Sequence, residues 1–246
     1  MIKCGNELEK PKISVIIPVL NEALIIGDVV SQTMSALDNI GLPYEVIVVD
    51  DGSSDLTGDM AREKGAKVIS SSITVGKGRA LRMGIAEAQG DFVVTLDGDG
   101  TQDPKEIKRL IAPLVKGKDV VFGTRFAKGS NVKPHSLTRI NFFGMRLFNL
   151  TIQFLMGKAI TDIASSFRAF KIDALKALKL TSDDSLIEAE MTVKVLNSEF
   201  DYEEVPITYS NRRSYRLTKS NIFIEGLRVT TIILRSFYFP SSLKGE

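Results

Sequence analysis

The sequence predicts an α/β fold in which helices flank a mostly parallel central sheet. Short apolar runs rich in Val and Ile have the uniform hydrophobicity of strands that are buried on both faces of such a sheet. Helical stretches alternate with these runs, and this alternation is the signature of a βαβ architecture. The predicted strands of the first half are residues 13–19, 44–49, 66–70, 92–96 and 119–123.

Each element between and after these strands follows from its own pattern. The predicted helices of the first half are residues 23–38, 55–64, 77–89 and 104–116. Beyond about residue 124 the predicted elements are helices at 137–156, 185–198 and 221–238 and an alternating strand at 202–209. Because no Gly-, Ser- or Pro-rich linker separates the two halves, we expect a single domain over residues 1–246.

Composition excludes several classes of function. The 246 residues include 32 basic and 30 acidic ones, a balance that argues against nucleic acid as a partner. The single cysteine, Cys4, cannot form an internal disulfide or a CxxC pair, and the single histidine, His135, argues against Ser-His-Asp chemistry. The N-terminal segment lacks the apolar stretch of a signal peptide, so we expect a cytoplasmic location.

Acidic residues follow the predicted strands at their carboxyl ends, where ligands bind in α/β sheets. Asp97 and Asp99, separated by one glycine, follow the fourth strand. Two carboxylates in such a loop can share one cation, and hard oxygen ligands suit Mg²⁺ or Mn²⁺. We expect Asp50, at the end of the second strand, to bind a nucleobase or a ribose. For Asp51, a turn-stabilising role is equally consistent with the pattern.

Basic and glycine residues follow other strands. Arg125 ends the fifth strand, where its guanidinium would neutralise a diphosphate, and we expect Arg125→Ala to affect catalysis more than stability. Gly78 lies in a Gly-Lys-Gly sequence that opens a helix. That sequence either cradles an anion or lets the backbone pass close to the sheet. The segment 211–219 has four basic residues and indicates an acidic substrate or an anionic membrane surface.

Eight segments together resemble family 2 glycosyltransferases of the GT-A fold, and most closely the dolichol-phosphate mannosyltransferase (polyprenyl-phosphate glycosyltransferase) branch. They stand in the order of the family and span most of the chain. The segments are IPVLNE (17–22), VVDDGSSD (48–55), GKGRALRMGI (76–85), LDGDGTQDP (96–104), GTRF (123–126), TDIASSFRAF (161–170), EAEM (188–191) and EVPITY (204–209).

The resemblance implies an inverting transfer of a hexose from a nucleoside-diphosphate sugar, GDP-mannose or UDP-glucose, to a polyprenyl (dolichyl) phosphate. It also implies a divalent metal, Mg²⁺ or Mn²⁺. The alternatives are transfer to a protein or glycan hydroxyl and a non-catalytic relative that only binds the nucleotide sugar. On this view residues 1–124 bind the nucleotide sugar, residues 125–220 form the acceptor side, and residues 221–246 form an amphipathic helix and tail.

The resemblance also assigns roles to individual residues. In the donor pocket it implies nucleoside contacts for Pro18, Asn21, Glu22 and Asp50, and metal binding for Asp97 and Asp99. A Gln often follows the second Asp of this motif by two residues, and here Gln102 stands one position later as the candidate third ligand.

On the acceptor side, the resemblance implies that Arg125 holds the donor diphosphate or the acceptor phosphate and that Arg139 does similar work. Glu190 is the candidate general base for a hydroxyl acceptor. A lipid phosphate would need no base, because its dianion already dominates at pH 7.

Two apolar segments predict attachment to the cytoplasmic face of a membrane without a span. Residues 142–156 and 222–239 are rich in Phe, Leu and Ile but are interrupted by charged and amide side chains. Charges at the centre of a bilayer are costly, which argues against a span. Packing in the core or against a partner remains the alternative, and for residues 142–156 taken alone it is the favoured one. For residues 222–239 the basic segment 211–219 favours burial in the headgroup region of an anionic membrane. A separate membrane-anchoring subunit is a further partner compatible with the resemblance.

Overall fold

The structure, a computed structural model, describes residues 12–134, 146, 149–150, 153–154 and 157–211. Several predictions therefore lie outside the described residues, wholly or for the most part. They are the helices at 137–156 and 221–238, Arg139 and the basic segment 211–219.

A seven-stranded sheet forms the centre of the described part of the chain. Its strand order is β3-β2-β1-β4-β7-β5-β8, and β6 and β9 pair in a separate two-residue parallel sheet. The strands are β1 (Ile13–Val19), β2 (Tyr44–Asp50), β3 (Lys67–Ser70), β4 (Phe92–Thr95), β5 (Val120–Thr124), β6 (Asn131–Val132), β7 (Arg168–Lys171), β8 (Tyr202–Pro206) and β9 (Thr208–Tyr209).

Helices cover both faces of the sheet, as the α/β prediction requires. They are α1 (Ile26–Asp38), α2 (Thr57–Glu63), α3 (Lys77–Glu87), α4 (Ile107–Val115, after a 3₁₀ turn at Pro104–Glu106), α5 (Ile172–Ala177) and α6 (Ile187–Leu196). One apolar core packs α1, α2 and α4 on one face, and a second packs α3, α5 and α6 on the other. Alternate residues of β1 supply the two cores, with Ile17 in the first and Ile16 in the second.

The predicted α/β class is confirmed, but strand β7 was not predicted. It runs antiparallel between β4 and β5, and all other pairs of the central sheet are parallel. Its sequence, RAFK, is short and begins with the fully buried Arg168, so it lacks the apolar run by which the other strands were recognised. The predicted strand at 202–209 is also divided, into β8 and β9.

The direction of β7 decides which loops meet. The other six strands of the central sheet end at one edge, and β7 begins at that edge because Arg168 pairs with both Thr95 and Phe122. The segment 161–167, which leads into β7, therefore lies beside the loops that follow β4 and β5.

The close packing of α3 on the sheet gives a test of this fold. A Cβ atom at Gly84 would collide with Ile16 Cγ2 and lie 3.1 Å from Val49 Cγ2. We expect Gly84→Ala to lower the free energy of unfolding by about 1–3 kcal/mol, measured by urea denaturation. Gly27→Ala in α1 is the matched control, since its Cβ would lie 3.5 Å from the nearest atom, Lys64 Cε. The control should be neutral or slightly stabilising, and equal losses in both variants would contradict the packing described.

Candidate active site

Two cavities lie side by side at the carboxyl edge of the sheet. The first, of about 380 Å³, is lined mainly by the segments that follow β1, β2, β3 and β4. The second, of about 200 Å³, is lined by the segment 163–166, the start of α6, Gln102, Arg125 and Tyr209. Lys77, Asp97 and Ser185 line both cavities. The two cavities therefore meet at one ammonium and one carboxylate.

The carboxylate of Asp97 is bound by three side chains. Lys77 Nζ lies 2.7 Å from its Oδ1. Its Oδ2 accepts hydrogen bonds from Ser166 Oγ and, at 3.2 Å, from Gln102 Nε2. Burial alone would raise the pKa of Asp97, but the Lys77 ammonium and the hydrogen bonds outweigh it and hold the pKa below its usual value. Asp97 is therefore ionised at neutral pH.

The ammonium of Lys77 bridges two carboxylates. It lies 2.7 Å from Asp97 Oδ1 and 2.6 Å from Glu188 Oε1, which comes from the first turn of α6. Burial lowers the pKa of Lys77, but the two carboxylates raise it by more, so the pKa lies above the usual range. Lys77 thus carries a permanent positive charge where the cavities meet.

Asp99 and Asp97 present carboxylates to the larger cavity. Asp99 Oδ1 accepts hydrogen bonds from the backbone N–H of Thr101 at 3.1 Å and from its hydroxyl at 2.7 Å, which orient the carboxylate. Within the described residues, no three Asp, Glu, His or Cys side chains are arranged so that they could hold a metal ion by themselves. Two carboxylates nevertheless fit Mg²⁺ or Mn²⁺, because such ions are commonly held by one or two carboxylates together with substrate phosphates.

Gln102 forms hydrogen bonds with both the backbone and the carboxylate of Asp97. Its Oε1 accepts a hydrogen bond from Asp97 N at 3.0 Å, and its Nε2 donates to Ser166 Oγ at 2.6 Å. The side chain lines the smaller cavity and is 6% exposed. The amide oxygen of Gln102 thus already accepts a backbone hydrogen bond, and its role as a third metal ligand stays an untested prediction.

Arg125 is anchored in a buried ion pair with Asp162. Its Nε lies 2.6 Å from Asp162 Oδ2 and its Nη2 2.7 Å from Asp162 Oδ1. The guanidinium also stacks 5.2 Å from the ring centroid of Tyr209 and lines the smaller cavity. Burial would lower the pKa of Arg125, but Asp162 raises it beyond the usual value. Arg125 therefore offers a rigid, permanently charged group.

Arg168 fixes the segment before β7. Its Nε donates to Ser165 O at 2.6 Å and its Nη2 donates to Ile163 O at 2.7 Å, while its guanidinium lies 4.9 Å from the Phe122 ring centroid. Burial lowers the pKa of Arg168 to about 10, so the side chain remains charged at neutral pH. This clamp holds the segment that presents Ser166 to Asp97.

At the larger cavity, the structure separates two adjacent aspartates. Asp51 lines the larger cavity, and its Oδ1 accepts a hydrogen bond from the backbone N–H of Val75 at 2.7 Å. Asp50 is not among the cavity-lining residues, and its Oδ1 accepts from Ser53 N at 2.9 Å. Asp51 therefore takes the position that we expected of Asp50.

The other residues expected in the nucleoside pocket divide into two groups. Pro18 and Glu22 line the larger cavity. Asn21 instead joins two loops, because its Oδ1 accepts from Ser54 N at 2.8 Å and its N donates to Ser53 Oγ at 2.9 Å. Its φ of 56° is left-handed, a conformation that Asn tolerates better than most residues.

Gly78 lies in close contact with the loop before α6. Its N–H donates to Asp183 O at 2.9 Å, and a Cβ at this position would collide with Ser182 O. These contacts favour the close-packing alternative for the Gly-Lys-Gly sequence, and anion binding at Gly78 stays an untested prediction.

Glu188, and not Glu190, reaches the smaller cavity. Glu190 is 3% exposed and accepts hydrogen bonds from Thr181 N at 2.9 Å and Ser182 N at 2.8 Å. Burial would raise the pKa of Glu190, but these hydrogen bonds and Lys194 lower it overall. A buried, ionised carboxylate that holds a loop is poorly placed as a base, so the geometry favours Glu188 over Glu190 for that role, which stays untested.

Four residues of this site were missed or undervalued by sequence reasoning. A signal existed for each, since all lie in segments that match the family pattern, but only the fold brings them together. They are Lys77, Asp162, Ser166 and Glu188.

The buried pair changes what we expect of Arg125 substitutions. Asp162 is fully buried, so Arg125→Met would leave its carboxylate without its main partner. We expect a loss of about 3–5 kcal/mol in the free energy of unfolding, measured by urea denaturation. The double variant Arg125→Met/Asp162→Asn should recover a large part of this lost free energy of unfolding. A loss in the double variant equal to the sum of the losses in the two single variants would contradict the pairing.

Comparison with known proteins supports one family. Residues 14–179 match the model of "Glycosyl transferase family 2". The chain is 36% identical over 237 residues to "Glycosyltransferase AglJ" of Haloferax volcanii, covering 93% of this chain and 75% of that protein. It is 30% identical over 208 residues to an undecaprenyl-phosphate 4-deoxy-4-formamido-L-arabinose transferase of Edwardsiella ictaluri, covering 81% of this chain and 60% of that protein.

A solved structure shows the same fold. It is glucosyl-3-phosphoglycerate synthase from Mycobacterium tuberculosis in complex with Mn²⁺, uridine diphosphate and glucosyl-3-phosphoglycerate, with a TM-score of 0.71 and 23% identity. The superposition covers 91% of this chain and 79% of that one. With the match to the family model and the identity to its relatives, the chain belongs to glycosyltransferase family 2 and has the GT-A fold.

Proposed function

We propose that the protein is an inverting glycosyltransferase that moves a hexose from a nucleoside-diphosphate sugar to a polyprenyl phosphate. The observation that carries this proposal is the pair of cavities that meet at Lys77 and Asp97. A donor in one cavity and an acceptor in the other would place their reacting atoms on opposite sides of this meeting point. A single displacement from the opposite face inverts the anomeric carbon.

The larger cavity suits the donor. Its volume of about 380 Å³ and its lining of Pro18, Glu22 and Asp51 offer an apolar wall with a few polar groups, as nucleotide sites do. The Mycobacterium tuberculosis neighbour was solved with uridine diphosphate. For this chain we propose GDP-mannose or UDP-glucose, which the panel of donors below distinguishes.

Asp97 and Asp99 are the residues that would hold Mg²⁺ or Mn²⁺ in the donor site. When bound, such a cation neutralises the negative charge that gathers on the leaving diphosphate. The Lys77 ammonium lies on the same side and adds a fixed positive charge. The protein would thus supply the carboxylates and the ammonium of this site before the reaction begins.

The smaller cavity suits a phosphate acceptor. Arg125, locked by Asp162, presents a guanidinium that can bind phosphate oxygens. The Edwardsiella ictaluri relative is named an undecaprenyl-phosphate transferase, which supports a lipid phosphate here. Its dianion attacks without a base, because the second pKa of a phosphate monoester lies near 6.

The position of Glu188 supports a second candidate, transfer to a protein or glycan hydroxyl. A hydroxyl must lose its proton, and Glu188 is a carboxylate in the acceptor cavity that could accept it. Since Glu188 is already paired with Lys77 at 2.6 Å, we favour the phosphate acceptor.

We also propose peripheral binding to the cytoplasmic face of a membrane, with a separate anchoring subunit as a compatible partner. Within the described residues, no helix has the length and hydrophobicity needed to cross a bilayer. Asn149 is buried and donates to Thr161 O, whereas Leu150 and Phe154 are 56% and 87% exposed. This helical segment thus turns an amide inward and apolar groups outward, which is the reverse of the usual pattern.

Loss of one metal-binding carboxylate tests the proposed reaction. We expect Asp99→Ala to lower kcat/KM about 100-fold or more. In other enzymes, removal of one group that stabilises the charge of the transition state has an effect of this size. The assay offers a panel of nucleotide sugars with Mn²⁺ or Mg²⁺ to polyprenyl phosphate and, separately, to hydroxyl acceptors.

Asp103→Ala is the matched control, since Asp103 accepts a hydrogen bond from Lys105 N at 3.0 Å and caps the 3₁₀ turn. It should retain activity. Full activity of Asp99→Ala in chelator would contradict a metal role. Transfer only to hydroxyls would select the second candidate, and nucleotide-sugar binding without transfer would indicate a non-catalytic relative.

Flotation with vesicles tests the membrane proposal. We expect the protein to float with anionic vesicles at low salt and Phe154→Asp to reduce the bound fraction, because a charge replaces an exposed apolar group. Val115→Asp, at a side chain 65% exposed at the end of α4, is the control and should float like the wild type. A wild type that remains in the soluble fraction with every lipid at low salt would rule the proposal out.

A further inference from the structure

The ammonium of Lys77 is shared by carboxylates on the two sides of the site. Asp97 is the metal-binding candidate in the larger cavity, and Glu188 lines the smaller one. Lys77 Nζ lies 2.7 Å from Asp97 Oδ1 and 2.6 Å from Glu188 Oε1, so both carboxylates bind the ammonium at once. The Glu188 side chain is 7% exposed and that of Lys77 is 32% exposed, so this ion pair is only partly shielded from water.

The backbone that carries Lys77 is fixed. Gly76 N donates to Asp51 Oδ2 at 3.0 Å, and Gly78 N donates to Asp183 O at 2.9 Å. A Cβ at Gly76 would collide with Asp183 O, so the start of α3 is in direct contact with the loop before α6. Only the flexible side chain of Lys77 is left to change partner.

The ammonium holds the carboxylate oxygen that a cation would need. Asp97 Oδ2 is bound by Ser166 and Gln102, whereas Oδ1 has Lys77 as its partner. A divalent cation that approaches Oδ1 meets a positive charge at 2.7 Å from that oxygen. Cation and ammonium therefore compete for the same oxygen unless the ammonium finds another anion.

We propose that Lys77 makes binding of the divalent cation depend on the donor diphosphate. Without a diphosphate, the ammonium occupies Asp97 and weakens cation binding. A diphosphate in the larger cavity gives the ammonium a new partner, and Asp97 becomes available to the cation. The inference rests on the proposed donor site and adds to it a coupling of nucleotide and metal through one side chain.

The test measures Mn²⁺ affinity from the EPR signal of free Mn²⁺, without nucleotide and with UDP or GDP. Mn²⁺ bound by the nucleotide alone is subtracted. The coupling ratio is the Mn²⁺ affinity with nucleotide divided by that without it, and the wild type should show a ratio well above one. Lys77→Met should bind Mn²⁺ at least fivefold more tightly without nucleotide and should lower the ratio at least fivefold, within the range of typical site-to-site couplings.

Two further variants sharpen the result. Lys77→Arg keeps the charge and should retain most of the coupling. Lys67→Met removes an ion-paired lysine at the far end of β3, where Lys67 lies 2.8 Å from Glu87, and should leave the ratio unchanged. By linkage, the factor by which Mn²⁺ changes nucleotide affinity should equal the coupling ratio.

An equal coupling ratio in the wild type and Lys77→Met would overturn this inference while leaving the donor site intact. A wild type that binds neither UDP nor GDP in the presence of Mn²⁺ would overturn the proposed function and this inference with it. If Lys77→Met does not fold, Glu188→Gln gives the second test. This variant leaves Asp97 as the only carboxylate that binds the ammonium, so the coupling ratio should rise. An unchanged or lower coupling ratio would contradict the inference.

Discussion

The site depends on one partly buried, ionised carboxylate, that of Asp97. Its partners come from distant parts of the chain: Lys77 from the start of α3, Gln102 from the loop after β4, and Ser166 from the segment before β7. An ionised carboxylate in a partly buried place is stable only if its charge is balanced and its oxygens are hydrogen-bonded. Folding therefore has to bring these segments together, and in doing so it joins the two cavities.

Most of the fold was predictable because its signals are local. Strands such as β1 and β2 are largely continuous apolar runs. In helix α1 the buried residues recur three or four positions apart, as in Ile26, Val29 and Val30. β7 was not predictable in this way. Four residues that begin with Arg168 form a strand only because β4 and β5 pair with them and Phe122 covers the guanidinium. Such long-range pairing has no counterpart in the local sequence.

The site was predictable where a residue directly follows a strand, and less so elsewhere. Pro18, Glu22, Asp97 and Asp99 reach the larger cavity as their positions suggested. Asp50 and Asp51 show where position alone is not enough. Successive side chains point to opposite sides of a strand, and of these two only Asp51 lines the larger cavity. Asp162 escaped notice because Arg125, the charge that it balances, is 37 residues away.

The most direct measurement of the central claim is a crystal structure with a nucleoside diphosphate and Mn²⁺, using the anomalous signal of manganese. We expect one Mn²⁺ bound by Asp97 and Asp99, the diphosphate on that ion in the larger cavity, and the smaller cavity open for the acceptor. Carboxylate oxygens should lie about 2.0–2.2 Å from the ion, in the range of hard divalent cations. Manganese away from both aspartates, or a nucleotide in the smaller cavity, would contradict the account.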